Sequence, residues 1–142
     1  MRVKELANHL SVSAETVRFY TRQGFLSPTK NPVNGYKEYG LKDQSRLRFI
    51  LSARALGFTV KDIAEILSVA EQKRTPCPMV RMMIEKRLLE TEAQYQETVK
   101  LRQRMREAVK TWSGLPDAEP TGDMICHLIE SFSHSQEGVH HE

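Results

Sequence analysis

No apolar run in the sequence approaches the length of about 18 residues that a membrane helix needs, so no segment is expected to cross a bilayer. Cysteine is scarce. Cys77 and Cys126 are the only two, and in a reducing compartment they are expected to be thiols, not a structural disulfide. The opening residues Met1–Glu5 lack the apolar stretch of a signal peptide, which makes the cytoplasm the expected location. There is no HExxH, no glycine-rich phosphate loop and no nucleophile motif, so an enzyme is not expected. What remains is a chain of 142 residues, 39% hydrophobic and 27% charged. That composition supports a packed core and excludes a wholly disordered chain. The length fits one small domain with an extension.

Two further absences organise the chain. Lys and Arg disappear after Lys110, leaving six carboxylates and four of the five histidines in the last 32 residues. The formal net charge is only +3, but residues 1–76 hold 13 Lys/Arg against 7 Asp/Glu, and residues 77–142 hold 8 against 11. A basic front half points to a polyanionic partner. An acidic tail with one Cys and several His points to a cation. Glycine and proline are missing from Met79 to Trp112. A helix of that length would reach roughly 50 Å at 1.5 Å per residue.

The front half reads as a winged helix-turn-helix. Val3, Leu6, Ala7 and Leu10 recur at helical spacing, and Ser11–Ser13 breaks the run. Ser13 is a natural N-cap for a second helix that Gly24 stops. Thr16, Arg18, Tyr20 and Arg22 are then candidates for its outer face. Two prolines exclude a helix over 27–39, where Asn34-Gly35 signals a hairpin carrying Lys30, Tyr36, Lys37 and Tyr39. Residues 42–56 are expected to be helical. Thr59 and Asp62 form a capping-box pattern that opens another helix, and residues 70–78 read as a linker.

Along 79–112, alternating steps of four and three pick out Ile84, Leu88, Thr91, Tyr95, Thr98, Arg102, Met105, Val109 and Trp112. One narrow apolar stripe on so long a helix calls for a partner helix, most simply from a second copy. Residues 113–122 read as a loop, 123–132 as a short helix and 133–142 as a flexible tail.

A helix rich in Arg, Thr and Tyr suits base edges and phosphates, and a basic wing suits the backbone. The stretches Val3–Ala7 (VKELA), Thr16–Tyr20 (TVRFY), Gly24–Leu26 (GFL), Asn34–Tyr39 (NGYKEY), Leu47–Ile50 (LRFI) and Ala55–Thr59 (ALGFT) together resemble the MerR family of transcriptional regulators. The resemblance implies a mainly α fold: a winged helix-turn-helix over 1–70, a linker over 71–78 and a long antiparallel coiled-coil dimerisation helix over 79–112. It further implies an effector loop and short helix over 113–132, ahead of the flexible tail over 133–142. It also implies a homodimer on a pseudo-palindromic promoter whose overlong spacer is distorted for RNA polymerase, a form of indirect readout. On that resemblance Arg18, Tyr20, Tyr36 and Tyr39 match DNA-contacting positions, and Lys30 stands where many members carry Arg.

The same resemblance implies an effector. In the branch that senses divalent metals, a Cys at the start of the dimer helix meets ligands from the C-terminal loop of the other subunit. Cys77 and Cys126 match the first and last of those positions. The middle loop Cys is absent. Asp117 or Glu119 stands near its place, and His127 follows Cys126 directly. Two thiolates completed by carboxylate or imidazole suit zinc first and cadmium or lead next. Three-thiolate mercury specificity is not expected. The alternative for the two thiols is an oxidant or electrophile sensor.

Overall fold

A computed structural model describes residues 1–132. Residues 133–142, read from the sequence as a flexible tail with His134, His140 and His141, lie outside the described residues. The chain divides into two compact units, Met1–Leu89 and the residues from Glu90 onward.

The first unit opens with α1 (Val3–His9) and α2 (Ala14–Arg22). Leu6, Ala7, Val17 and Tyr20 are the buried positions of this pair. The turn between the helices is tight because Ser11 takes a left-handed φ of 56° and the Ser13 hydroxyl accepts the Thr16 N–H at 3.1 Å. Gly24, at φ 83°, ends the run after α2. The wing is a short antiparallel hairpin, β1 (Thr29–Lys30) and β2 (Lys37–Glu38), with Thr29 opposite Glu38 and Lys30 opposite Lys37. Two asparagines build its turn: Asn31 accepts the Val33 N–H at 2.8 Å, and Asn34 accepts the Tyr36 N–H at 2.9 Å.

Next come α3 (Leu41–Ala55) and α4 (Val60–Glu71). Asp43, buried at the start of α3, accepts the Ser27 N–H at 2.8 Å and the Gly40 N–H at 3.3 Å, which ties the segment after α2 to α3. The capping box of α4 forms as the sequence predicts: Thr59 and Asp62 each accept the other's backbone N–H at 3.0 Å. Leu47 and Ile50 of α3 and Ile63 of α4 are fully enclosed. They meet Leu6, Val17 and Phe58 in one core.

The long helix α5 runs Cys77–Trp112 and starts two residues before the expected Met79. The linker is correspondingly shorter. Pro78 is tolerated because a first-turn residue needs no N–H bond within the helix. Within the first unit, Met79, Val80, Met83 and Ile84 pack against the core that α1–α4 build, here called the head. The opening turns of α5 therefore belong to that unit, and Ile84, half-buried, takes part in its packing. Arg87 clasps Asp62 through two bonds, Nε to Oδ2 at 2.9 Å and Nη2 to Oδ1 at 3.1 Å.

The second unit holds the remainder of α5, an extended loop and a short helix over 127–132. That helix starts four residues later than the sequence suggested. Gly122 at φ 58° and Asp123 form a turn, and the Glu130 carboxylate accepts the backbone N–H of Ile125 and Cys126 at 3.1 and 2.8 Å. Trp112 and Phe132 meet edge to face, their centroids 6.0 Å apart.

Candidate nucleic-acid interface and effector ligands

The helix α2 presents three of its four expected side chains. Arg18 and Arg22 are exposed and Thr16 is half-buried. The fourth, Tyr20, is only 6% exposed and stacks on Phe25 with ring centroids 6.1 Å apart. This corrects its expected place on the outer face. Tyr20 lies three residues from Val17, so helical spacing puts both on the buried side.

The hairpin divides in the same way. Lys30, Lys37 and Tyr36 are exposed, Tyr36 at 56%. Tyr39 is 2% exposed and belongs to the core, a second correction. Its hydroxyl lies 2.7 Å from the Thr21 hydroxyl, and Thr21 Oγ1 also donates to the Val17 carbonyl at 2.8 Å. Its backbone pairs with Met1, accepting the terminal ammonium at 2.8 Å and donating to the Met1 carbonyl at 2.6 Å. Tyr39 thus fastens the wing to α2 and to the start of the chain. The Arg2 guanidinium lies 4.4 Å from the centre of the Tyr36 ring, a cation–π contact that steadies the exposed side chain.

Glu15 stands in the first turn of α2, where a carboxylate favours the helix N-terminus. In the structure it joins the arginines. Its carboxylate lies 2.8 Å from Arg22 Nη2 and 3.9 Å from Arg18 Nη1. The Arg22 hydrogen bond, followed by the Arg22 charge, holds the Glu15 carboxyl below the usual carboxylate range. The signal was available: Arg18 and Arg22 stand three and seven residues further along the helix, on one face.

The effector positions fall in different units. Cys77, at the start of α5, is exposed. Cys126 is half-buried, and its N–H is held by Glu130 as described above. His127 Nε2 lies 3.1 Å from the Pro116 carbonyl. A carbonyl only accepts, so Nε2 donates to it and Nδ1 is the ring nitrogen left to face a metal; a backbone carbonyl orients a metal-binding imidazole in this way. Asp117 and Glu119 are exposed on the loop. Thiol, imidazole and carboxylate are a donor set that fits a divalent ion of zinc's type. Among the described residues of one chain, no three His, Cys, Asp or Glu side chains form a group able to hold a metal.

Comparison with known proteins places this geometry. Residues 1–69 match the family described as MerR HTH family regulatory protein, and residues 44–108 match the one described as MerR, DNA binding. The mercuric resistance operon regulatory protein of Pseudomonas fluorescens is 31% identical over 125 residues, covering 88% of this chain and 82% of that protein. The chain belongs to the MerR family. It is a DNA-binding transcriptional regulator, and the family is one of regulators, not enzymes. A probable heavy metal-dependent transcriptional regulator of Haemophilus influenzae is 26% identical over 106 residues, covering 75% of this chain and 83% of the relative. Among solved structures, the transcription regulator PbrR691 from Ralstonia metallidurans CH34, in complex with lead(II), superposes with a TM-score of 0.68. It is 21% identical and covers 92% of this chain and 98% of its own, a likeness of fold. No helix among the described residues is long and apolar enough to cross a membrane.

Proposed function

We propose that this MerR-family chain acts as a homodimer, clasped along α5, on a pseudo-palindromic promoter with an overlong spacer. It activates transcription by RNA polymerase when a bound divalent metal leads the dimer to bend and untwist that spacer. The observation that carries the DNA reading is the bond between Thr21 and Tyr39. It fastens the recognition helix to the wing, so Thr16, Arg18 and Arg22 are offered together with Lys30, Tyr36 and Lys37. Arg18 reads a guanine edge, and the wing side chains take phosphates. Tyr20 and Tyr39 act as supports beneath this surface.

Pairing along α5 is supported by the apolar side chains it leaves exposed, among them Leu88, Tyr95, Met105 and Val109. A helix of 36 residues with such a stripe is stabilised by a second helix laid against it. The metal reading is supported by the donor chemistry and by the metal-linked names of the relatives. Cys77 of one subunit and Cys126 of the other would hold the ion, completed by His127, Asp117 or Glu119. Zinc is the first expectation, with cadmium and lead next.

The test is a promoter assay over a panel of zinc, cadmium, lead and mercury salts, with metal analysis of the purified protein. Cys77→Ser and Cys126→Ser are each expected to abolish metal-induced transcription and to leave operator binding in place. Induction that survives Cys77→Ser refutes the proposed ligand set. The exposure of Cys77 favours a second reading, a sensor of oxidants or electrophiles. Thiol titration separates the two: zinc protects the thiols if they bind metal, whereas rapid oxidation that zinc does not slow supports the redox reading.

A further inference from the structure

The carboxylate of Glu15 is out of place on a surface meant for a polyanion. It sits in the first turn of α2, is exposed, and faces the same side as Arg18 and Arg22, to which it is bonded or close. A shallow groove beside the helix is lined by Ser13, Glu15, Thr16, Phe19, Tyr20 and Arg22. Phosphates repel a carboxylate there. A recognition helix generally brings its N-terminal residues to the base edges. In the major groove the donors available to a carboxylate are the exocyclic amines, and the usual pairing of Glu is with cytosine N4.

We infer that Glu15 is a specificity-determining residue: it selects a cytosine in each half-site by accepting a hydrogen bond from the base's N4 amine. This rests on the reading of α2 as the recognition helix. Glu15 performs two tasks with one side chain. In the free protein it holds Arg22 at 2.8 Å and offsets part of the charge that would otherwise bind any phosphate. On the cognate duplex it turns to the cytosine amine and releases Arg22 toward DNA. At a site without that cytosine, its carboxylate is desolvated without a donor, so the wrong base is rejected.

The experiment is selection of binding sequences from randomised duplex DNA by the full-length wild type, E15Q and E15A. Titrations of the selected duplex and its single-base variants follow at two salt concentrations. The wild type is expected to enrich a cytosine at one symmetric position and to lose roughly five- to hundredfold in affinity when it is replaced. E15Q is expected to prefer adenine there, because a carboxamide pairs with adenine N6 and N7. E15A is expected to lose discrimination at that position alone. Both variants are expected to bind unselected DNA more tightly than the wild type. If E15Q enriches the same sequence with the same discrimination, or if both variants weaken all sequences equally, the assignment of Glu15 is overturned while the regulator reading stands. A wild type that enriches no sequence overturns the regulator reading, and this inference with it.

Discussion

Asp62 carries more of the head's architecture than its position at the start of α4 implies. Its carboxylate accepts the Thr59 N–H and both Arg87 bonds, and it is nearly buried. The bond from Arg87 is the largest cause lowering its pKa from 3.8 to about 2. Burial opposes that shift, and the Thr59 contacts and the Arg87 charge add to it. At about 1.4 kcal/mol per unit, such a shift corresponds to about 2.5 kcal/mol; solvent screening of a pair near the surface reduces this to between about 1 and 2 kcal/mol. The sign follows from the depressed value. Above about pH 4 the carboxylate is charged in both folded and unfolded chains, and the stabilisation is complete. As pH falls, the unfolded chain takes up a proton first, so the stabilisation shrinks and is gone once pH passes below about 2. Asp62→Asn keeps an acceptor for the cap and removes the charge. Urea unfolding near neutral pH is expected to show the variant less stable by about 1–2 kcal/mol. The gap between the two proteins is then expected to close as pH is lowered from about 4 toward about 2. A gap that stays constant over that range would show that the ion pair with Arg87 contributes nothing, and the reasoning would fail.

Other perturbations probe the core and the surface. Tyr39→Phe removes the 2.7 Å bond to Thr21 and keeps the ring buried; a loss of about 1 kcal/mol in stability is expected, with faster hydrogen exchange in the hairpin. Leu47→Ala opens a cavity at a fully enclosed position and is expected to cost about 2–5 kcal/mol in the same urea titration. Arg18→Ala is expected to leave the fold intact, because the side chain is exposed, and to weaken binding to a selected operator by about 1–3 kcal/mol. Unchanged affinity would remove Arg18 from the interface. Wild-type binding is expected to fall steeply with salt as phosphate contacts release counterions, and the steepness is expected to be lower for Lys37→Ala.

The surface of the helix pair and wing was only partly legible in the sequence. Arg18, Arg22 and the wing lysines are exposed as expected, because long charged side chains on a basic segment have few other places to go. Tyr20 and Tyr39 were misplaced outward because tyrosine suits both a core and a phosphate. For Tyr20 the three-residue step from Val17 held the answer. Tyr39 offered no such clue, since Met1 and Thr21, the residues it is hydrogen-bonded to, lie 38 and 18 positions away. Glu15 was visible and its meaning was not, because a first-turn carboxylate already has a sufficient local reason to be there.

Boundaries of α2, α3 and α4 were set by the sequence alone: Ser13, Thr59 and Asp62 cap from within three residues, and Gly24 and Gly57 end runs by taking positive φ. Such contacts close over a single turn, so their free energy is present in any chain with those residues, whatever it packs against. Tertiary structure decided the clasp of Arg87 on Asp62 across 25 positions, the docking of the first turns of α5 on the head and the anchoring of the wing at Met1. These depend on which distant surfaces meet once the core has formed. Neither spacing nor composition encodes that meeting, because loop closure and packing select it from many pairings of equal local merit.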